Sequence, residues 1–164
     1  RALADSGNYD EALKAIAKAR IIRPNYAEAS AVEGRTYNSM TEYDKAIDSF
    51  DRAIKEGKGF QPEAYTGLAL LFKDEAESAA ADNDLEAEKF YYAESAKAFE
   101  KAIEQLSASE PVVYLFLGKV YENMGDKKKA IGVYERFLRD MPENEETSAV
   151  QSMIVQLKKP DTIQ

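Results

Sequence analysis

The chain has 164 residues, of which 45% are hydrophobic and 32% charged, and its formal net charge is −8. This composition is typical of a soluble protein, and the acidic balance argues against binding to nucleic acid, which relies on concentrated Lys and Arg. The absence of Cys and His excludes disulfides and zinc fingers and removes the commonest general base and transition-metal ligand. The sequence has no apolar run long enough to span a membrane.

The first elements are helical. Residues 1–6 are predicted to end a helix that begins upstream, because Leu3 takes the position that Tyr37 fills later, so we expect the natural chain to extend beyond this start. The next helix is expected to begin after Asn8, an N-cap residue, and to stop before Pro24.

A pattern of small and hydrophobic residues then returns after 34 positions. The first set is Gly7, Tyr9, Ala12, Ile16 and Ala19, and the second is Thr41, Tyr43, Ala46, Phe50 and Ala53. A period of this length is a sequence signature of stacked helical repeats. It predicts the second helical pair at about residues 26–40 and 43–56.

The third helical pair is longer than the others. Tyr37 and Phe72 are 35 residues apart, whereas Phe50 and Phe99 are 49 apart, so 14 residues are added between the two helices of this pair. That length corresponds to about two further turns on each helix.

The added residues predict a projecting helical hairpin. They are rich in helix-forming residues, and Asp82-Asn83-Asp84 supplies a turn with an Asp cap for the returning helix. We therefore expect helices near 62–81 and 84–106. The close packing expected between them involves Ala76, Ala79 and Ala80 on one side and Leu85, Tyr92 and Ala96 on the other.

Residues 110–142 predict the fourth pair. Tyr114, Leu117, Gly118 and Tyr121 share one side of a helix, and Ala130, Tyr134 and Phe137 repeat this spacing after a break at Gly125-Asp126, before Pro142 ends the unit. A lone hairpin cannot bury both of its apolar faces, so neighbouring pairs must stack on it.

A last helix is expected from Asn144, as its cap, to about Lys158. Its apolar side consists of Ala149, Val150, Met153, Ile154 and Leu157. The opposite side is polar, as the end of a repeat array requires.

The 34-residue period and the motif in 110–142 resemble those of the tetratricopeptide repeat family. This stretch supplies seven of the family's eight characteristic positions, and Phe137 stands where a small Ala is usual. The resemblance implies an all-α fold: an α-solenoid of antiparallel helical hairpins, wound as a right-handed superhelix, with a C-terminal capping helix.

The expected organisation is a single repeat domain over residues 1–159. Its parts are a partial repeat at 1–25, a repeat at 26–60, the extended repeat at 61–108, a repeat at 109–143 and the capping helix at 144–159, followed by a tail at 160–164.

Ser30 and Glu33 depart from the family pattern, which has an aromatic residue and a Leu at these positions. One explanation is that this face is exposed because an upstream helix is missing. The other is that Glu33 is buried and paired, and shapes a site.

No catalytic set or metal site is predicted. The acidic residues lie mostly on helix faces four positions from Lys or Arg, as in Asp48 and Arg52, which is typical of solvated surfaces. The Asp82-Asn83-Asp84 turn hints at a calcium loop but lacks the required Gly and distal Glu. We therefore expect no enzymatic activity and no cofactor.

The resemblance implies a concave groove, lined by the first helix of each pair, across which a partner peptide or helix lies. The groove residues so assigned are Glu28, Arg35, Asn38, Thr66, Leu70, Lys73, Leu115, Lys119, Glu122 and Asn123. Arg35, Lys73 and Lys119 would suit an acidic segment of the partner. The alternative is that these cations only balance acidic neighbours such as Asp74 and Glu122.

Phe90, Tyr91 and Tyr92 define a second candidate surface on the projecting hairpin. Three consecutive aromatic residues on a helix cannot all face one side, so at least one should be partly exposed. It would either anchor a partner or cover the opposite helix.

The leading prediction is a non-enzymatic protein-interaction module. Two alternatives stay open: the repeats and the hairpin self-associate into a homo-oligomer, or the chain is a regulatory domain of a larger protein whose catalytic part lies elsewhere.

Overall fold

The computed structural model describes residues 8–106 and 110–159, and this part of the chain is α-helical. The helices in chain order are α1 (Tyr9–Ile22), α2 (Ala27–Ser39), α3 (Tyr43–Glu56), α4 (Pro62–Ala81), α5 (Leu85–Leu106), α6 (Pro111–Asn123), α7 (Lys127–Asp140) and α8 (Thr147–Leu157). The predicted helix end at residues 1–6 and the predicted tail at 160–164 lie outside the described residues.

The helices stack as consecutive antiparallel pairs. α2 pairs with α3, α4 with α5, and α6 with α7, while α1 packs on α2 and α8 packs on α7. Successive pairs are joined by contacts between α3 and α4, between α5 and α6, and between the first helices α2 and α4. This is the expected α-solenoid, in which each pair buries its apolar faces against its neighbours.

Phe50 joins two of these pairs. Its side chain is fully buried, and its ring lies between Gly34 of α2 and Gly67 of α4. A Cβ atom at position 34 would be 2.6 Å from Cδ1 of the ring, and one at position 67 would overlap the far end of the ring. The two glycines therefore let α2 and α4 approach each other across one aromatic ring.

The projecting hairpin forms as predicted in its bounds. α4 begins at Pro62, and Asp84 starts α5 by accepting a hydrogen bond at Oδ1 from the backbone N–H of Ala87, 3.1 Å away. The prediction that two of the residues pack between these helices is wrong, however. Ala80 and Leu85 are exposed, because they lie in the last and first turns beside the Asp82–Asp84 connection, beyond the reach of the opposite helix.

The last helix begins later than predicted. Asn144 does not cap it. Its side chain instead accepts a hydrogen bond from the backbone N–H of Glu146 at 2.9 Å in the turn before α8. Val150 and Ile154 are buried against α7, whereas Ala149 and Met153 of the predicted apolar side are exposed.

Glu33 is paired, which agrees with one part of the second explanation for this residue, but it is partly and not fully buried. Its side chain is 17% exposed, accepts from Arg20 of α1 at 3.0 Å and also pairs with Arg52 of α3. The fully buried Ser30 hydroxyl accepts from Arg20 and donates to Glu56. We call these five residues the polar cluster. It joins α1, α2 and α3 through ionic and hydrogen-bonding groups, and two of its members, Ser30 and Glu33, are the residues that depart from the apolar family pattern.

No helix among the described residues combines the length and the apolarity that crossing a lipid bilayer requires.

Candidate functional site

The first helices α2, α4 and α6 line a common groove, and a pocket of about 530 Å³ lies in it. Four of the predicted groove residues line this groove pocket, namely Arg35, Asn38, Thr66 and Leu70. Val112 of α6 lies on its other side with 46% of its surface exposed, and Phe50 and Gly67 also line it. The groove pocket is therefore partly apolar, with polar groups on α2 and α4.

Arg35 crosses from α2 toward α4. One of its terminal nitrogens lies 3.3 Å from a carboxylate oxygen of Glu63, and both side chains are about one-third exposed or less. The pair connects neighbouring first helices within the groove pocket. Arg35 thus already has a carboxylate from this chain beside it.

Lys73 is paired within its own helix. Its ammonium group lies 2.9 Å from Asp74 and 3.0 Å from Glu77, and its side chain is only 15% exposed. Partial burial opposes the charge, but the hydrogen bonds and attraction of the two carboxylates outweigh it and raise the pKa of Lys73. Lys73 is therefore a cation with two intramolecular partners, set largely below the surface.

Lys119 and Glu122 of α6 form an ion pair at 3.5 Å, and Lys119 is 60% exposed. Glu122 also accepts a 2.6 Å hydrogen bond from the hydroxyl of the buried Tyr134 on α7. The ring of Tyr134 in turn lies against Gly118, where an added Cβ atom would overlap it. Glu122 thus links the groove to the core of the fourth pair.

The Tyr134–Glu122 contact predicts a loss of stability at alkaline pH. Burial, and then the neighbouring Glu122 carboxylate, raise the pKa of Tyr134 above its ordinary value near 10. The unfolded chain therefore loses this proton first, and the contribution of Tyr134 to stability, complete below about pH 10, falls as the pH rises further. We expect the free energy of unfolding in urea to decrease as the pH is raised from about 10 to about 12, and Tyr134→Phe to reduce this decrease.

Tyr43→Phe is the matched control for this pH dependence, because Tyr43 is 39% exposed. It should leave the decrease unchanged. If Tyr134→Phe showed the same decrease as the unchanged chain, Tyr134 would not be its source.

The remaining predicted residues fall into different environments. Leu115 is half-buried against the core, and Asn123 donates a 2.9 Å hydrogen bond to the hydroxyl of Tyr92. Tyr92 is only 4% exposed, so its assignment to a second surface is wrong: its side chain turns toward α6. Tyr91 is half-buried and stacks with Phe72, and Phe90, at 59% exposure, is the exposed member of the triplet.

Glu28 lies beside a second pocket of about 360 Å³ formed by α1 and α2. Its lining is mainly alanine and other apolar side chains, and it shares Glu63 with the groove pocket. The two pockets therefore adjoin along α2. Glu28 lies in the first turn of α2 as Glu63 does in that of α4, and Glu110 immediately precedes α6, so the start of each of these helices carries a glutamate.

The sequence pattern did not predict that Phe50 and Gly67 line the groove pocket. Phe50 and Gly67 contribute to it because the ring of a second helix reaches between two first helices, and periodicity along one helix does not reveal this. A sequence signal that could have indicated it is the presence of Gly34 and Gly67 on neighbouring first helices, since glycine permits the close approach of another group.

Within residues 8–106 and 110–159, no group of three or more acidic side chains is arranged to hold a metal ion. Three acidic side chains of the groove instead pair with Arg35, Lys73 and Lys119. The groove thus combines ion pairs with the partly apolar lining of the groove pocket.

Stacked antiparallel helix pairs with a groove along their first helices define an α-solenoid. The chain belongs to the tetratricopeptide repeat family: family models described as tetratricopeptide repeats match residues 1–62 and 113–149. Folds of this family are generally non-catalytic modules of protein-interaction scaffolds.

Solved structures with this fold include TTC0263, a tetratricopeptide repeat protein of Thermus thermophilus (TM-score 0.65, 21% identity, 94% of this chain and 75% of that one). MamA is similar (TM-score 0.62, 22% identity, 94% and 87%), as is the Arabidopsis OM64 repeat domain (0.56, 17%, 80% and 93%). These likenesses concern the fold.

A curated relative is anaphase-promoting complex subunit 3 of Schizosaccharomyces pombe, which is 25% identical over 128 residues. The match covers 78% of this chain and 17% of that protein, so the chain spans about a sixth of the relative's length.

Proposed function

We propose that the chain binds a segment of a partner protein, a peptide or a helix, in the groove formed by α2, α4 and α6. The observation that carries the proposal is the groove pocket, about 530 Å³ in volume, which is lined by the exposed Val112 and the half-buried Leu70 together with the polar Asn38 and Thr66. An apolar pocket with a few polar groups at its edge is the usual form of a binding site.

Membership of a larger assembly is consistent with this role. The curated relative is by its name a subunit of a complex, and its match covers 78% of the present chain. We propose that this chain likewise acts as a scaffold that holds a partner, and that its contribution is contact surface.

The test is a steric and electrostatic block of the groove pocket. Val112→Arg places a long cationic side chain at its mouth, and we expect partner capture from an extract of the source organism to fall at least about tenfold, as for a central interface residue. Because Val112 is 46% exposed, its replacement should leave the melting temperature within about 2 °C.

Ile21→Arg is the matched control. Ile21 is an 82% exposed β-branched residue on α1, outside the lining of the groove pocket, and the same substitution there should leave capture unchanged. Equal capture by all three forms would contradict the groove assignment.

Self-association is a second candidate, and the exposed apolar side chains of α8 favour it. Met153 and Val155 are 37% and 60% exposed at one end of the helical stack, where a second copy could pack. Light scattering at high protein concentration decides it: a dimeric or larger mass that Val155→Arg reduces to the monomer supports self-association, and a monomeric mass for the unchanged chain excludes it.

A further inference from the structure

The charges of the groove favour a partner segment whose charge is opposite in sign to that of the acidic segment suggested by the sequence alone. Arg35, Lys73 and Lys119 raised the expectation of an acidic segment, yet each has a carboxylate of this chain within 3.5 Å. An incoming carboxylate would have to compete with these partners. The three cations are thus already neutralised before any partner arrives.

Two carboxylates along the same surface, by contrast, have no partner among the described residues. Glu28 and Glu110 are exposed, and among the described residues neither side chain has a hydrogen bond or an ion pair. Glu110 lines the groove pocket beside Val112, and Glu28 lines the adjoining pocket. The unneutralised charge of the groove is therefore negative, in agreement with the net charge of −8 on the whole chain.

We infer that the groove takes a partner segment in which lysine or arginine residues accompany an apolar side chain; this inference rests on the proposed function. The apolar side chain fills the groove pocket against Leu70 and Val112, and the basic groups approach Glu110 and Glu28. Charge complementarity of this kind steers encounter and fixes the register of the bound segment.

Because the carboxylates are spaced along the groove, the bound segment should carry basic residues at more than one position. Glu28 and Glu110 flank Glu63, and all three mark the starts of consecutive first helices. A segment lying across these helices passes the carboxylates in turn. A partner with a single basic group would use only part of this surface, so we expect at least two.

Selection of random dodecapeptides displayed on phage against the immobilised chain tests the inference, followed by affinity measurement of the selected peptides at low ionic strength. We expect the enriched sequences to contain an excess of Lys and Arg together with an apolar residue. Val112→Arg should abolish their binding, and Glu28→Gln with Glu110→Gln should weaken it about three- to tenfold.

The control is a second double variant with the same change in net charge. Glu86 and Glu145 are exposed and lie outside both pockets, so Glu86→Gln with Glu145→Gln should weaken the same peptides less than about twofold. Equal weakening by the two pairs would reveal attraction to the overall charge and overturn the inference.

The outcomes separate the inference from the proposed function. If the selected peptides lose binding with Val112→Arg but are acidic or uncharged, the groove is the binding site and the inference of a basic partner is wrong. Failure to select any peptide sensitive to Val112→Arg would contradict the groove itself, and the inference with it.

Discussion

Phe50→Ala is expected to destabilise the chain by about 3–5 kcal/mol, measured by urea unfolding. The ring is fully buried and fills the space between Gly34 and Gly67, so its removal leaves a cavity lined by residues that have no side chain to move into it. The loss should be at the upper end of this range, because both neighbours lie on helices held by other contacts.

Phe90→Ala is the matched control, since Phe90 is 59% exposed on the projecting hairpin. Its effect should stay below about 1 kcal/mol. Similar destabilisation by the two substitutions would show that the Phe50 ring does not hold α2 and α4 together.

A complementary experiment adds a methyl group to α4 at the position that contacts the Phe50 ring. Gly67→Ala overpacks the contact with the ring and should destabilise by about 1–3 kcal/mol. Phe50→Leu in the same chain, with a smaller side chain opposite, should recover part of that loss. Additive effects of the two substitutions would mean that they are not in contact.

Glu33→Ala is expected to destabilise by about 2–3 kcal/mol. Removing one partner of a partly buried ion pair leaves the other charge unpaired, and here Arg20 and Arg52 both lose the carboxylate. The effect is below that of a fully buried pair because Arg52 is 41% exposed and keeps access to water. Thermal or urea unfolding measures it.

Replacing Glu33 together with its two cationic partners distinguishes pairing from packing. A triple variant with Arg20→Leu, Glu33→Leu and Arg52→Leu removes both ion pairs at once, and it should be less destabilised than Glu33→Ala alone. If the triple variant were the less stable of the two, these ion pairs would contribute net stability beyond that of apolar side chains.

The helix bounds were predictable because local residues determine them. Pro62 fixes the start of α4, and Asp84 caps α5 as its position suggested. The start of α8 was not predictable, because the side-chain oxygen of Asn144 accepts a hydrogen bond within a turn instead of capping the helix. Both arrangements use the same side-chain oxygen. Sequence pattern identifies a residue able to cap but does not choose among its possible acceptor geometries.

The candidate site was predictable only at the level of which helix faces form it. Arg35, Asn38, Thr66 and Leu70 line one pocket, as their positions on first helices implied. The partners of the cations could not be derived, because the Arg35–Glu63 pair depends on the spacing between two separate helices. The orientations of Tyr91 and Tyr92 likewise follow from the facing helices, and no local pattern encodes them.

The projecting hairpin has a consequence for helical phase. α4 has 20 residues against 13 in α2, a difference of seven, and seven residues rotate an α-helix to within about 20° of two full turns. The added turns therefore continue the same buried stripe, as Ala76 and Ala79 show, and leave the angular position of the rest of the helix unchanged. The length of the projection is thus independent of the stacking of the repeats, and paired additions of seven residues can lengthen it without rotating the groove.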